Sequence, residues 1–139
     1  MKKLLLLGAG AQGSTVAKRM NEEPNVSEII CADYDERAVK ELERTLEKST
    51  ALKLDATRVK NIVQAAEGVD LMVNALPIVL APNALQAALE ANVCYQDFAA
   101  AEFEGLDFDK GIELLLSEWS DKFKARGLSA LMSTGSAPG

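Results

Sequence analysis

The chain has no histidine, only two cysteines and few aromatic residues, and its acidic residues outnumber its basic ones. Each shortage removes a class of function. Without histidine no Cys/His metal spacing exists, and the commonest general acid–base side chain is missing. A metal site is therefore not expected. Cys31 and Cys94 each lie in an apolar segment. That placement suits reduced, core-filling thiols of a cytoplasmic protein better than a disulfide framework. Fifteen Lys and Arg stand against 21 Asp and Glu, a formal net charge of −6. No basic stripe with interleaved aromatics is present, so nucleic acid is not an expected partner. No apolar run approaches the length of a membrane span, and none predicts a membrane partner. Met1-Lys2-Lys3 and the leucines behind it imitate a signal peptide, but the run is too short for one.

What is present reads as a dinucleotide-binding turn. Gly8-Ala9-Gly10-Ala11-Gln12-Gly13 follows the apolar run Leu4–Leu7 and precedes a helical segment. In that strand–turn–helix setting each glycine has a mechanical task. Gly8 permits the turn, Gly10 leaves room for a pyrophosphate, and Gly13 lets the helix pack closely on the strand. The helix N-terminus, with Ala11 and Gln12 in its first turn, offers N–H groups and partial positive charge to the phosphates. Glu28–Asp33 reads as a second strand ending in a carboxylate. Asp33 stands twenty residues past Gly13, where an acid accepts hydrogen bonds from the adenosine ribose. Either signal alone has an ordinary explanation, a glycine-rich turn or a helix-capping aspartate. In register they predict dinucleotide binding.

The length of 139 residues and a hydrophobic content of 48% fit one domain, residues 1–139, with a real core. Short apolar runs alternate with amphipathic stretches, the pattern of a parallel sheet covered on both faces. Strands are expected at Lys3–Leu7, Ile29–Ala32, Ala51–Leu54, Leu71–Asn74, Val93–Gln96 and Leu128–Met132. Helices are expected at about Ala11–Asn21, Asp35–Lys48, Thr57–Glu67, Pro82–Asn92 and Asp109–Arg126. The last carries Ile112, Leu115, Leu116, Trp119 and Phe123 as one apolar stripe. Right-handed crossovers then give an α/β Rossmann fold, a doubly wound six-stranded sheet in the order 3-2-1-4-5-6.

Ligands of such a sheet sit beyond its strand ends, which defines the remaining candidates. Asp55 and Ala56 follow strand three and face the adenine edge; Asp55 and Thr57 also suit a helix start. Asn74, Ala75, Leu76 and Pro77 follow strand four, where a small Ala75 admits the cofactor ribose and Pro77 stiffens the turn. Asp97, after strand five, is the candidate for contacting substrate or transferring a proton near the nicotinamide. Tyr95 reads as a packed sheet residue.

GAGAQG, ICADYD, LKLDAT, VDLMVNALP, VCYQDFA and the closing GLSALMSTGSAPG together resemble the N-terminal nucleotide-binding domain of saccharopine dehydrogenase-like oxidoreductases. The resemblance spans the chain. It implies an NAD(P)-dependent oxidoreductase acting on lysine, saccharopine or a related amino acid. It also implies a substrate and dimerisation domain after Gly139, a homodimer, and catalysis at the seam, so that residues 1–139 alone would be inactive. NADPH-using saccharopine reductases tend to carry a basic residue at the end of strand two. Asp33 and Asp35 stand there instead, which points to NAD, while Arg37 keeps NADP open. Two rivals share the glycine turn and strand-two acid: a nucleotide-sensing domain of the potassium-channel type, and a methyltransferase. Asn74–Pro77, which builds a nicotinamide-side wall, argues against the sensor; the three-glycine spacing argues against the methyltransferase.

Overall fold

A computed structural model describes residues 1–99, 101–132 and 134. Ser133 and Gly135–Gly139 of the closing segment, and Ala100 of the irregular stretch after strand five, lie outside the described residues. β1 (Lys2–Leu7), β2 (Val26–Asp33), β3 (Ser49–Lys53), β4 (Leu71–Asn74), β5 (Cys94–Asp97) and β6 (Ala130–Leu131) form one sheet. Every pairing is parallel and the order is β3-β2-β1-β4-β5-β6, as the alternation predicts.

Side chains of a strand point alternately to its two faces. Leu4 and Leu6 of β1 therefore enter one core with Ala17 of α1 (Ala11–Asn21) and Val39 and Leu42 of α2 (Glu36–Thr45). Leu5 and Leu7 enter the other core. There they meet Ile62 of α3 (Val59–Ala65), Leu85 of α4 (Ala81–Ala91), and a last helical segment. Four consecutive leucines are what a strand buried on both faces requires.

Several boundaries differ from expectation, each for a tertiary reason. α2 stops at Thr45 rather than Lys48, because the Lys48 N–H donates to Asn21 Oδ1 at 3.0 Å and its carbonyl accepts from Ile29. That pulls the following residues into β3, which starts at Ser49 instead of Ala51. β2 starts at Val26, since Lys2 and Lys3 pair with Val26 and Glu28. α3 begins at Val59 rather than Thr57, because Asp55 and Thr57 close a side-chain turn of their own. A 3₁₀ turn, Ile78–Leu80, precedes α4. Asp97 is the last residue of β5 rather than the first beyond it. β6 is two residues long instead of five.

The last helix departs most. It consists of α5 (Phe108–Leu114), a π turn at Leu115–Trp119 and α6 (Ser120–Ala125). Its buried positions, Gly111, Leu115, Trp119 and Phe123, recur every four residues. A regular α-helix would rotate that row off the sheet; the wider π turn keeps it in phase. Ile112 stays half-buried, but Leu116, expected in the stripe, is 75% exposed.

Candidate functional site

β1 lies at the sheet centre between β2 and β4, where the strand order reverses after β3, the topological switch point of this fold. A cleft of about 670 Å³ opens there. Gly8, Gly10 and Gln12 form its floor, and Asp33 and Tyr34 stand at the end of β2. Leu54, Asp55, Ala56 and Thr57 close one side, and Ala75, Leu76, Pro77 and Leu80 the other. Residues expected from four separate strand ends thus meet in one place. Ala11, Gly13 and Asn74 do not line the cleft; they support it.

The three glycines have distinct surroundings. Gly8 has φ +98°, and a Cβ there would lie 2.7 Å from the Ala75 carbonyl oxygen. A Cβ on Gly13 would lie 1.9 Å from the Gly8 carbonyl oxygen, so helix α1 packs on the turn backbone to backbone. A Cβ on Gly10 would meet nothing within 4 Å. Space above Gly10 belongs to the cleft, and no side chain caps the N-terminus of α1 beside it. That combination makes the turn fit to receive a phosphate.

Asp33 does two things at once. Its Oδ2 accepts the Ala9 N–H at 2.7 Å and its Oδ1 accepts the Asp35 N–H at 2.8 Å. The carboxylate thereby ties β2 to the glycine turn. A carboxylate offers about four lone-pair directions, so both oxygens retain capacity toward the cleft. Tyr34, which the sequence reading passed over, presents a 70% exposed ring to the cleft, with Lys53 Nζ 5.3 Å from its centroid. Its signal was its position, one residue after the strand-two acid. Arg37 is exposed in the first turn of α2 and is not part of the lining.

After β3, Asp55 Oδ1 accepts the Thr57 hydroxyl at 2.6 Å and the Thr57 N–H at 3.0 Å. Those bonds hold its carboxyl below the usual carboxylate range. Asn83 Nδ2 donates to the Ala56 carbonyl at 3.0 Å and joins α4 to this turn.

Behind the cleft wall lies a buried polar cluster. Tyr95, Asp97 and Asn74 are 1%, 2% and 3% exposed. The Tyr95 hydroxyl donates to Asp97 Oδ2 at 2.8 Å and accepts from Asn74 Nδ2 at 2.9 Å. Asn74 Oδ1 accepts the Leu76 N–H at 3.0 Å. Burial, and then the Asp97 charge, push the Tyr95 phenol far above its ordinary range, so it stays protonated. Tyr95 is the packed sheet residue expected, with its ring 6.4 Å from that of Phe123, and it is also hydrogen-bonded. Asp97 borders a separate void of about 20 Å³ shared with Gln12, Asn74 and Leu76, not the main cleft.

Among the described residues no group of three or more Cys, Asp or Glu side chains can hold a metal ion, and no helix is long and apolar enough to cross a membrane. Cys31 is buried and Cys94 half-buried, and both are free thiols.

Residues 4–130 match the family described as saccharopine dehydrogenase NADP binding domain. A curated relative, carboxyaminopropylagmatine dehydrogenase of Synechocystis sp., is 33% identical over 147 aligned positions. The alignment covers 100% of this chain and 35% of the relative, so the chain spans about a third of that protein. Apo saccharopine dehydrogenase (L-Glu forming) of Saccharomyces cerevisiae shares the fold at a TM-score of 0.79 and 16% identity, over 97% of this chain and 27% of the yeast one. The triphenylmethane reductase of Citrobacter sp. complexed with NADP(H) shares it at a TM-score of 0.67 and 17% identity, over 94% of this chain and 48% of the reductase.

Proposed function

The chain belongs to the saccharopine dehydrogenase NADP-binding domain family, and from that premise we propose that it is the cofactor platform of an NAD(P)-dependent oxidoreductase. Residues 1–139 form the dinucleotide-binding domain, and a substrate and dimerisation domain completes the active site of a cytoplasmic homodimer. The cofactor supplies hydride transfer; the chain's own residues bind and orient it. Gly8–Gly13 hold the pyrophosphate, Asp33 the adenosine ribose, and the apolar side chains of Leu54, Ala56 and Leu80 the adenine. Ala75, Leu76 and Pro77 wall the nicotinamide side.

The substrate in this reading is lysine, saccharopine or a related amino acid. A carboxyaminopropylagmatine-type amine is the alternative suggested by the name of the Synechocystis relative. Asp97 is the strand-end carboxylate on the nicotinamide side. Because it already accepts the Tyr95 proton, orienting this region is a role more consistent with its geometry than direct proton transfer. Asp33 favours NAD, since its carboxylate pairs with a ribose hydroxyl and repels a 2′-phosphate. Family membership favours an oxidoreductase over a nucleotide sensor.

The observation that carries the proposal is the open space above Gly10 beside the uncapped start of α1. A Cβ at Gly10 meets no neighbour within 4 Å, so Gly10→Val adds its bulk to the open cleft. Calorimetric titration should show dinucleotide binding lost while the circular dichroism spectrum and melting temperature stay near wild type. Undiminished affinity in a folded variant would overturn the site assignment.

A further inference from the structure

The polar cluster behind the cleft wall has a direction, and that direction ends in the cleft. The Tyr95 hydroxyl has one proton and gives it to Asp97 Oδ2, 2.8 Å away. The phenol oxygen can then only accept, and Asn74 must turn its NH₂ toward it. This leaves the Asn74 carbonyl pointing the other way, where it takes the Leu76 N–H. A flipped amide would set NH₂ against that N–H, donor against donor. Next to this bond the Ala75 N–H is fixed on the Leu7 carbonyl at 2.7 Å, and the Ala75 carbonyl lies against Gly8.

We propose that Tyr95 is a positioning residue for the dinucleotide: through the Asn74 amide it sets the Ala75–Pro77 wall opposite the glycine turn. Tyr95 does not line the cleft and is far in sequence from the fingerprint. Its hydroxyl is linked to the cleft wall at Leu76 by two hydrogen bonds, Asn74 to Tyr95 and Leu76 to Asn74. Replacing the phenol by a phenyl ring keeps the packing on Phe123 and removes the acceptor that orients the amide. The Asn74 side chain is then free to rotate, and the Leu76 N–H loses its partner.

The inference rests on the dinucleotide-binding reading above, and its test separates the two. Tyr95→Phe, Asn74→Ala and the buried control Ile62→Val would be made in the 139-residue chain. NAD and NADP dissociation constants would be measured by calorimetry, and Leu76 amide exchange by nuclear magnetic resonance. Tyr95→Phe is expected to weaken dinucleotide binding about threefold to tenfold, the size of one hydrogen bond's effect. It should also speed Leu76 exchange beyond what its global stability explains. Ile62→Val, which thins the same core without removing any polar group of the cluster, should change neither. A merely structural Tyr95 would lower the melting temperature and leave both readouts unmoved, which would overturn the proposal. Should Tyr95→Phe not fold, Asn74→Ala removes the same acceptor from Leu76, and an unchanged dissociation constant there overturns it equally. A wild-type chain that binds neither dinucleotide would refute the functional reading and, with it, the binding role assigned to Tyr95.

Discussion

Two aspartates in the cleft illustrate how one residue type takes different roles. Asp33 is held by two backbone N–H groups while facing the cleft, and the proposed binding mode sets its charge beside the adenosine ribose. Like charges about 4 Å apart at an effective dielectric near 20 repel by roughly 4 kcal/mol, an upper range for an open cleft. A residual of about 1.4 kcal/mol gives a tenfold preference. The role proposed for Asp33 predicts NAD binding about tenfold tighter than NADP, read from the ratio of their dissociation constants. Tighter NADP binding would assign the 2′-phosphate to Lys53, which stands over Tyr34, or to Arg37. Asp55 differs, because its hydrogen bonds come from Thr57. Its folded-state pKa is depressed, first by the Thr57 hydroxyl and then by the Thr57 N–H. The stability it contributes is therefore present above its unfolded value of about 4 and is lost as pH falls through the lower folded value. Thr57→Ala should bring the Asp55 titration, followed by carboxyl-carbon resonance, back up toward about 4. An unmoved titration would show that other groups hold it down.

At the scale of elements, the last helix shows how a local irregularity decides which side chains are core. Leu115, Trp119 and Phe123 are buried in one row, while Leu116 lies in solvent beside them. Chemical denaturation should separate the two leucines sharply. Leu115→Ala removes packing from a core shared with α3 and α4 and should cost about 2–5 kcal/mol. Leu116→Lys should stay within about 0.5 kcal/mol of wild type. Comparable losses at both positions would mean that the helix runs as a regular α-helix with Leu116 inside. The strand elements make a complementary point. β4 and β5 align Asn74 with Asp97 and Met72 with Tyr95, which places the polar cluster between neighbouring strands. Parallel register, rather than nearness in sequence, creates that contact.

At the scale of the whole molecule, the described residues form the cleft proposed for the cofactor and offer few groups for chemistry. It holds no histidine, and Asp97 is buried against Tyr95. The chain also matches only about a third of its Synechocystis relative. Enclosing and orienting a substrate against the nicotinamide is worth about 7–11 kcal/mol of barrier in well-aligned reactions. The 139-residue chain is therefore expected to bind NAD without oxidising lysine, saccharopine or carboxyaminopropylagmatine. Monitoring NADH formation with each of these amines tests this. Turnover at an enzyme-like rate by the chain alone would place the catalytic groups inside these residues.

The features set by near-neighbour chemistry were legible in the sequence. Glycines eight, ten and thirteen, the acid at Asp33, the two-sided leucine strand and the strand order all follow from spacing, turn chemistry and the handedness of crossovers. Asn74, Asp55 and Ala56 could be placed at strand ends for the same reason. What needed the tertiary structure depends on partners distant in the chain. Lys48 leaves α2 because Asn21 and Ile29 claim its backbone. Asn74 and Tyr95 meet only because their strands pair, and the contact of Tyr34 with Lys53 forms only once the ends of β2 and β3 stand side by side. The π turn is a middle case. The four-residue recurrence of Gly111, Leu115, Trp119 and Phe123 is written in the sequence, but it becomes a wide turn only because a sheet face lies beneath it to be covered. Local sequence determines which conformations are cheap; long-range packing decides which side chains they bring together.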